Sequence, residues 1–463
     1  MVWFRRDRKR ARAAPTQGPD GSRFCDAGML FWGALLLGLA LRLSLLVHTP
    51  TDGAPGGDLL VYYRTAILLT QSSGAWLRES GEFGYRAPLY SIYLFLAYEL
   101  GGSLDYRIGQ LANILLYAGV MVSLRMLLRR EFGPRVSLIG VSIRALAPPF
   151  VISDLLLQTE VLFEIFALTS TALALEAARG QSGVRQAFLL GASMAAGALT
   201  REYAQGLVLL TCGLLAYLTW RGRRLRSTWW AALMAGLLLI LAPWFVRNTI
   251  VWGSPLPLAT TSGVNLHIGN HPDATGTWTH IGHPDHVTPP NLSFGSRQAD
   301  RWHRERALQY IATHPERFIQ LASWKLSYLL WPQTMKQEIM DDPLWPTLPA
   351  ALRTAMVLAN AATIAFLWLV GVLGLCGGSS ALFGRAVLVW AAYTGLVTVL
   401  AFGAPRFADP IMHLLLGPAA AVLSHPRRTI AAGLQDPARR LITSSSWLLL
   451  ATWWALLLFH KLG

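Results

Sequence analysis

Apolar runs of the length that crosses a lipid bilayer recur along the whole chain. A helix rises about 1.5 Å per residue, so roughly 20 apolar residues span a hydrocarbon core of about 30 Å. Eleven runs reach or approach that length: 27–48, 107–128, 136–152, 155–178, 186–200, 203–220, 228–246, 354–376, 384–403, 409–424 and 446–461. Within lipid, a helix satisfies its own backbone hydrogen bonds. The sequence therefore predicts an all-α polytopic membrane protein with about eleven transmembrane helices.

Charged residues are scarce in this chain of 463 residues, which supports the prediction of a membrane protein. Only 14% of the residues are charged, against roughly 25% in soluble domains. The 40 Lys and Arg exceed the 25 Asp and Glu, and they lie in short clusters between the apolar runs. Basic residues placed there indicate membrane topology and not nucleic-acid binding. Cys25, Cys212 and Cys376 are far apart, so no disulfide framework or cysteine metal site is expected.

One further apolar run, 88–100, decides the sidedness of everything that follows it. If this run does not span, the N-terminus and the basic loops at 125–135, 179–185 and 220–227 all fall on one side. If it spans, those three loops move to the outside. Because short cytoplasmic loops collect Lys and Arg, the first arrangement is favoured. We therefore predict that residues 88–100 form an interfacial helix on the external side, and the tyrosines of this run fit that place.

The predicted organisation has four parts. A basic cytoplasmic N-terminus (1–26) precedes a transmembrane core (27–246) that contains a first external loop (49–106). An external region (247–353) and C-terminal transmembrane helices (354–463) complete the chain. Within the external region, the amphipathic spacing of PERFIQLASWKLSYLLWP predicts a helix on the membrane surface. Since the other loops are short, function is expected on the external face, with juxtamembrane helices in the first loop.

Acidic residues near the outer ends of the spans are candidates for catalysis. Asp58 follows two glycines and opens a helical stretch, so it is either a helix cap or a general base. Asp154 and Glu160 lie in an otherwise apolar turn, and carboxylates beside a span are more often functional than decorative. Glu164, one turn deeper, is an alternative, although a buried contact between helices is the favoured role. These residues predict a carboxylate-based site at the outer surface.

Arginines of the same face are candidates for binding phosphate. Their forked donors suit a phosphate group. Arg86 has a lipid headgroup as its alternative partner, and Arg201 could simply be neutralised by the adjacent Glu202. The substrate-binding candidates are Arg86, Arg201, Tyr62, Arg247 and Arg406.

A histidine-rich stretch in the external region raises the question of a metal. It contains His267, His271, His280, His283 and His286, with Asp273 and Asp285. The spacings match no zinc template, so we assign no metal ligand and expect the stretch to cover the acceptor. A divalent metal remains an open alternative, and no other cofactor is expected.

The order of short motifs along the chain resembles a known family. The motifs are G-D-x-x-x-Y at 57–62, R-x-P-L-Y at 86–90, R-x-F-G-x-R at 130–135, S-D…T-E at 153–160, L-T-R at 199–201, P-W-x-x-R-N at 243–248 and G-x-N-L-x-x-G-N at 263–270. In this order and sidedness the chain resembles the membrane-embedded GT-C glycosyltransferases over about residues 27–425. It is most similar to the family 39 type, related to protein O-mannosyltransferases and to the aminoarabinose transferases of lipid A.

The resemblance implies an activity and a set of roles. It implies a polyprenyl-phosphate-linked sugar as donor and an acceptor protein, lipid or glycan reached from the periplasmic face of a bacterial inner membrane. Asp58 matches the acidic residue that acts as general base, Glu160 matches a second acidic position, and Asp154 is a rival for it. Arg86 and Arg201 match basic positions of the family. Leu59 follows Asp58 where many relatives have a second acid, which puts a metal site within that loop in doubt.

Two other classes remain as alternatives, a transporter or flippase of lipid-linked glycans and a non-catalytic glycan-assembly protein. Transporters tend to show internal repeats and ionisable groups near the bilayer midplane. No repeat is visible here, and the charges cluster at the outer ends of the spans, with Arg144 the principal exception. Whether Asp58 tolerates replacement by asparagine separates an enzyme from a glycan-binding protein.

Overall fold

The computed structural model describes residues 21–49, 58–71, 74, 83–222, 225–279, 281, 287–293, 295–332, 345–435 and 437–462. Over these residues the secondary structure is helical throughout, without any strand. The prediction of an all-α chain is therefore confirmed.

Between residues 89 and 252 the helices follow one another with short connections, and longer connections lie in the two segments predicted to be external. The first ten are α1 (Gly21–Leu46), α2 (Asp58–Gln71), α3 (Leu89–Gly101), α4 (Tyr106–Phe132), α5 (Pro134–Leu146), α6 (Pro148–Ser153), α7 (Glu160–Arg179), α8 (Val184–Thr200), α9 (Ala204–Trp220) and α10 (Ser227–Trp252). The others are α11 (Ser262–Ile268), α12 (Arg297–Thr313), α13 (Pro315–Leu329), α14 (Ala350–Gly378), α15 (Ala381–Leu400), α16 (Asp409–Ser424), α17 (Pro426–Gln435) and α18 (Pro437–Leu462), with a 3₁₀ turn at Pro405–Ala408.

Seven of the described helices are long and apolar enough to cross a membrane, so the chain is an integral membrane protein. They are α1, α4, α7, α10, α14, α15 and α16 together with the turn before it. The predicted number of eleven is not confirmed: α5, α8 and α9 have only 13, 17 and 17 residues, and α18 is not among the seven. Helix α5 ends where Ala147 adopts an extended ψ of 132° before Pro148, as expected for a residue that precedes proline.

Helix α3 is too short to cross a bilayer. Its 13 residues extend about 20 Å, and it packs on α2 and α4. The hydroxyl of Tyr93 donates to the carbonyl of Ala112 at 2.6 Å, and that of Tyr90 donates to Asn113 at 3.1 Å. Tyr90 and Tyr98 are buried inside the protein, so they pack the helix in place and do not face a lipid interface. The length of α3 supports the prediction that this run does not span.

The two ends of the helix bundle gather different segments of the chain. At one end, the backbone amide of Thr260 donates to Gly84 at 3.1 Å, and that of Gly403 donates to Gly276 at 2.8 Å. These residues belong to segments predicted to be external. At the other end, α4 and α7 are joined by the ion pairs Arg130–Glu176 and Arg179–Glu131, in segments predicted to be cytoplasmic. This partition supports the predicted sidedness.

Cysteine labelling tests that sidedness. In a background without the native cysteines, Ser293→Cys is expected to react with an impermeant reagent in intact cells. Arg135→Cys is expected to react only after the membrane is opened, because it lies at the end that holds the α4–α7 ion pairs. Both positions are exposed in the folded protein, so burial does not explain a difference between them. Labelling of Arg135→Cys from outside would reverse the topology.

The backbones of helices α8 and α10 are in close contact at two glycines. A Cβ atom added at Gly191 would collide with the carbonyl of Leu233, and one at Gly236 with the carbonyl of Phe188. Small residues at helix contacts allow backbones to come this close in membrane proteins. These two glycines therefore set the distance between α8 and α10.

We expect Gly236→Ala to lower stability, because its new methyl group meets a backbone oxygen that cannot rotate away. Overpacking of this kind costs about 1–3 kcal/mol. The matched control is Gly213→Ala in α9, where the added Cβ has no neighbour within 4 Å. That control is expected to be neutral or to stabilise by about 0.5–1 kcal/mol. Thermal unfolding in detergent measures both, and equal midpoints would contradict the close helix contact.

Candidate functional site

A buried network of charges joins helices α1, α5, α7 and α16. Asp154, in the turn after α6, accepts hydrogen bonds from Arg42 Nε at 2.7 Å and from Arg144 Nη1 at 2.8 Å on the same oxygen. Arg144 Nη2 donates to the other oxygen at 2.7 Å, which makes that pair bidentate. All three residues are buried. Two guanidinium groups therefore share one carboxylate in the interior.

Glu164 extends this network to α16. Arg144 Nη2 donates to Glu164 Oε2 at 3.1 Å, and His413 Nε2 lies 3.1 Å from the same oxygen. The predicted role of Glu164 in a buried contact between helices is therefore confirmed. We call Arg42, Arg144, Asp154, Glu164 and His413 the central network.

The central network holds Asp154 in its ionised form. Burial alone would raise the pKa of the Asp154 carboxyl, but Arg144 and Arg42 outweigh burial and hold the pKa below its usual value. A carboxylate whose oxygens already accept three hydrogen bonds is a poor acceptor for a substrate proton. The contacts of Asp154 thus favour a structural role, and its catalytic role remains a prediction without support from the geometry.

A second charged group lies where α7 begins. Glu160 is the first residue of α7, and its Oε1 lies 3.4 Å from Arg201 Nη1 at the end of α8. The Arg201 guanidinium carbon is 5.2 Å from the ring centre of Tyr203 and 5.7 Å from that of Phe163. This aromatic surrounding fixes the plane of the guanidinium, so Glu160 and Arg201 form an oriented pair.

Glu202 does not neutralise Arg201, and that alternative reading of the sequence is wrong. Glu202 Oε1 lies 3.7 Å from Arg86 Nη1 and accepts a hydrogen bond from Thr261 Oγ1 at 2.7 Å. The neighbouring side chains of residues 201 and 202 thus point to different partners. Arg86 comes from the first external loop and Thr261 from the second, so Glu202 connects the two. We call Glu160, Arg201, Glu202 and Arg86 the outer group.

A cavity lies beside the central network. Asp409 and Glu164 line it, from α16 and α7. Its other walls are mainly aromatic and apolar, and they include Phe150, Trp331, Trp368 and Met412. The charges of Glu164, Glu160, Arg201 and Arg406 all act on the Asp409 carboxyl. The 3₁₀ turn Pro405–Ala408, which carries Arg406, therefore lies near the carboxylates of α7.

Helix α2 places Tyr62 near the outer group. Tyr62 is buried, packs edge-on against Tyr90 with ring centres 5.3 Å apart, and interacts electrostatically with Arg201. Asp58 is the first residue of the same helix, but its side chain lies outside the described residues. The Asp58 backbone lies about one helical turn before that of Tyr62.

Arg247, near the end of α10, lies among aromatic side chains. Its guanidinium carbon lies 4.9 Å from the ring centre of Trp244 and 4.7 Å from that of Trp252, and Nη1 donates to Asn248 at 3.0 Å. With 1% of its surface exposed, the residue is enclosed by aromatic side chains. Its predicted role in substrate binding remains a prediction.

Part of the histidine-rich stretch is buried and paired. His267 Nδ1 lies 2.8 Å from His303 Nδ1, and burial lowers the pKa of His303 to about 4. His271 is also buried, whereas four further members of the stretch lie outside the described residues: His280, His283, Asp285 and His286. Over the part of the chain that is described, no three His, Cys, Asp or Glu side chains are arranged to hold a metal ion.

Two buried cations were missed by the sequence reasoning. Lys325 Nζ donates to Asn270 Oδ1 at 3.0 Å and to the carbonyl of Val399 at 2.8 Å, and burial lowers its pKa to about 7. The signal was a single lysine in the apolar part of the run predicted to lie on the membrane surface. Arg42 gave a similar signal as a lone arginine within the first span, since charges inside spans are rarely incidental.

A known family matches the segment of the chain that holds most of these charged residues. Residues 85–246 match the family model of dolichyl-phosphate-mannose-protein mannosyltransferases. This match confirms the predicted GT-C resemblance. The matched segment contains Arg86, Arg144, Asp154, Glu160 and Arg201, and it ends within α10. No curated protein matches the chain by sequence.

Solved structures give overall similarities of low identity. The oligosaccharyltransferase AglB from Archaeoglobus fulgidus, in complex with an inhibitory peptide and a dolichol-phosphate, is 14% identical with a TM-score of 0.48. The match covers 92% of this chain and 55% of that one, so this chain spans about half the length of the oligosaccharyltransferase. ArnT from Cupriavidus metallidurans bound to undecaprenyl phosphate is 16% identical with a TM-score of 0.38, covering 88% of this chain and 80% of that one.

Proposed function

We propose that this protein is a membrane glycosyltransferase that transfers a sugar from a polyprenyl-phosphate-linked donor to an acceptor on the non-cytoplasmic face. The observation that carries the proposal is the outer group, in which Glu160 and Arg201 form an oriented pair beside Arg86. These residues come from three separate segments, and all three lie within the stretch that matches the mannosyltransferase family.

The chemistry of the proposed reaction needs the residue types that meet there. A general base removes the proton of the acceptor while the acceptor oxygen attacks the anomeric carbon. The bond from that carbon to the phosphate oxygen breaks, and the polyprenyl phosphate leaves as an anion that cationic donors stabilise. We assign the base to Asp58, with Glu160 as the second candidate, and the phosphate contacts to Arg86 and Arg201.

The same proposal gives the protein its place in the cell. We place it in a bacterial inner membrane with the outer group on the periplasmic side. In support, the segments predicted to be external meet at the end of the bundle that carries the outer group. The prenyl chain of the donor would stay in the bilayer, and its phosphate would reach Arg86 and Arg201 from the side.

Donor consumption by the purified protein tests the activity. Proteoliposomes are given radiolabelled polyprenyl-phosphate sugars together with cell-envelope acceptors, with nucleotide sugars as the control donors. We expect release of polyprenyl phosphate with transfer of the label to the acceptor, and no transfer from nucleotide sugars. Movement of intact donor across the bilayer without release of phosphate would instead support a flippase.

Arg86→Ala and Arg201→Ala are each expected to weaken use of the donor by about one to two orders of magnitude, because a charge-assisted hydrogen bond contributes roughly 1.5–3 kcal/mol. Lysine is expected to restore only part of the loss if the contact uses two guanidinium nitrogens. The matched control is Arg301→Ala on the exposed side of α12. Steady-state transfer kinetics measure the effect, and wild-type values for both variants would remove these arginines from the site.

A further inference from the structure

Two buried side chains of the external region bind the C-terminal end of α15. The last carbonyls of a helix have no partner within that helix. Here Lys325 Nζ donates to the carbonyl of Val399 at 2.8 Å, and Asn270 Nδ2 donates to the carbonyl of Leu400 at 2.7 Å. Lys325 Nζ also donates to Asn270 Oδ1 at 3.0 Å, and both residues are buried. We call Lys325 and Asn270 the capping pair of α15.

The capping pair suits the end of a helix in both charge and hydrogen bonding. A lysine near a helix C-terminus can bind the last carbonyls, and its charge interacts favourably with the negative end of the helix dipole. Burial of an amine costs free energy unless its hydrogens reach acceptors, and Asn270 and Val399 supply two of them. The Phe318 ring centre lies 5.4 Å from Lys325 Nζ on the same helix. The lysine therefore binds the end of α15 through specific donors.

The chain that follows α15 is also fixed by close backbone contacts. A Cβ atom added at Gly403 would collide with the carbonyl of Lys325, and one added at Gly269 would collide with the carbonyl of Ala401. The amide of Gly403 donates to the carbonyl of Gly276 at 2.8 Å. The connection after α15 is thus held against α13 and against the segment that follows α11.

Four residues beyond Gly403 the chain contacts the outer group. Phe407 belongs to the 3₁₀ turn Pro405–Ala408, and its ring centre lies 5.9 Å from the guanidinium carbon of Arg201. The amide of Phe407 donates to the carbonyl of Ala404 at 3.1 Å, so this turn is compact. A displacement of Gly403 would therefore move the ring that packs on Arg201.

We propose that Lys325 is a positioning residue for sugar transfer, because it fixes the end of α15 and thereby the turn whose Phe407 packs on Arg201. Lys325 is buried and touches no substrate itself. The inference rests on the proposed function, which assigns a phosphate contact to Arg201. Such a contact is made with the bound donor and with the transition state alike, so loss of its alignment weakens donor binding more than turnover.

Hydrogen exchange of the purified protein tests whether Lys325 fixes this connection. The variant is Lys325→Met, which has about the same length and no donor. The matched control is Ser327→Ala, which removes a hydrogen bond to the carbonyl of Ser323 within the same helix. We expect the amides of 402–408 to exchange about tenfold faster or more in Lys325→Met, with α4 unchanged and the control like wild type. Wild-type exchange at 402–408, or equal acceleration in α4, would overturn the proposal.

Transfer kinetics test whether the connection matters for the donor. We expect Lys325→Met to raise the KM for the donor about three- to tenfold while kcat per folded molecule stays close to wild type. A lysine with a structural role alone would lower the amount of active protein and leave KM unchanged, and that result would refute the inference. Transfer activity absent from wild type itself would instead refute the proposed function, whatever the exchange experiment gives.

A milder variant, Lys325→Gln, covers the case in which Lys325→Met does not fold. Glutamine keeps an N–H donor but is shorter than lysine, so it is expected to retain one of the two contacts. We expect the same two changes at a smaller size, namely faster exchange at 402–408 and a raised KM for the donor. If Lys325→Gln folds with wild-type exchange and wild-type KM, the proposal is wrong.

Discussion

Asp58→Asn protein is expected to fold normally and to transfer sugar about 10² to 10⁴ times more slowly than wild type, which is the usual effect of removing a general base. Asparagine is nearly isosteric with aspartate and still caps a helix, so it preserves the local role of a residue that begins α2. What it loses is the ability to accept a proton. If Asp58 were only a cap, turnover would be retained.

Comparison with the Glu160→Gln variant decides which of the two carboxylates is the general base. This variant removes the second candidate base, but it also removes the charge that pairs with Arg201 at 3.4 Å. We therefore expect a smaller loss of turnover with Glu160→Gln, accompanied by weaker donor binding. Transfer rates at saturating donor, measured on both purified variants, separate the two effects. Near-normal turnover by Asp58→Asn together with an inactive Glu160→Gln would place the base at Glu160.

The largest expected effect on stability comes from Asp154→Asn. This change leaves the guanidinium groups of Arg42 and Arg144 buried without the carboxylate that both of them contact. Breaking a buried pair by removing one partner costs about 3–5 kcal/mol, because a charge is then left uncompensated in the interior. We expect a large drop in the unfolding midpoint in detergent and loss of activity in proportion to the loss of folded protein.

Glu176→Gln is the matched control for this prediction. It makes the same acid-to-amide change, but its partner Arg130 is 46% exposed. Exposed pairs contribute about 0–1 kcal/mol, so the midpoint should hardly move. Equal shifts in the two variants would show that the central network does not hold the helices together. A stable but inactive Asp154→Asn protein would instead restore Asp154 as a catalytic candidate.

The helical class and the outer candidates were predictable because they follow from local sequence. The apolar runs give the spans, and Glu160, Arg201 and Arg86 lie at their ends. Their partners were not predictable, because residues distant in sequence form the pairs. The spacing of Arg201 and Glu202 suggests mutual neutralisation, yet the turn after α8 directs these side chains to Glu160 and Arg86.

The buried charged residues show the same limit of prediction from local sequence. The sequence marks Arg144 as a charge within a span, but it predicts that Asp154 is an external turn residue available for chemistry. Only the fold shows that α1 brings Arg42 to the same carboxylate. Likewise, amphipathic spacing predicted that α13 lies on the membrane surface, while packing against the end of α15 buries Lys325. Periodicity reports which face is apolar and does not report what covers it.

The composition of the central network also bears on how the protein responds to the membrane potential. Its two arginines and two carboxylates carry no net charge when His413 is neutral. A voltage of 100 mV is worth about 2.3 kcal/mol for each elementary charge that crosses the membrane, and it does no net work on a neutral unit. A displacement of the whole network as one rigid body thus moves no net charge through the membrane field, whereas movement of one of its charges relative to the others would.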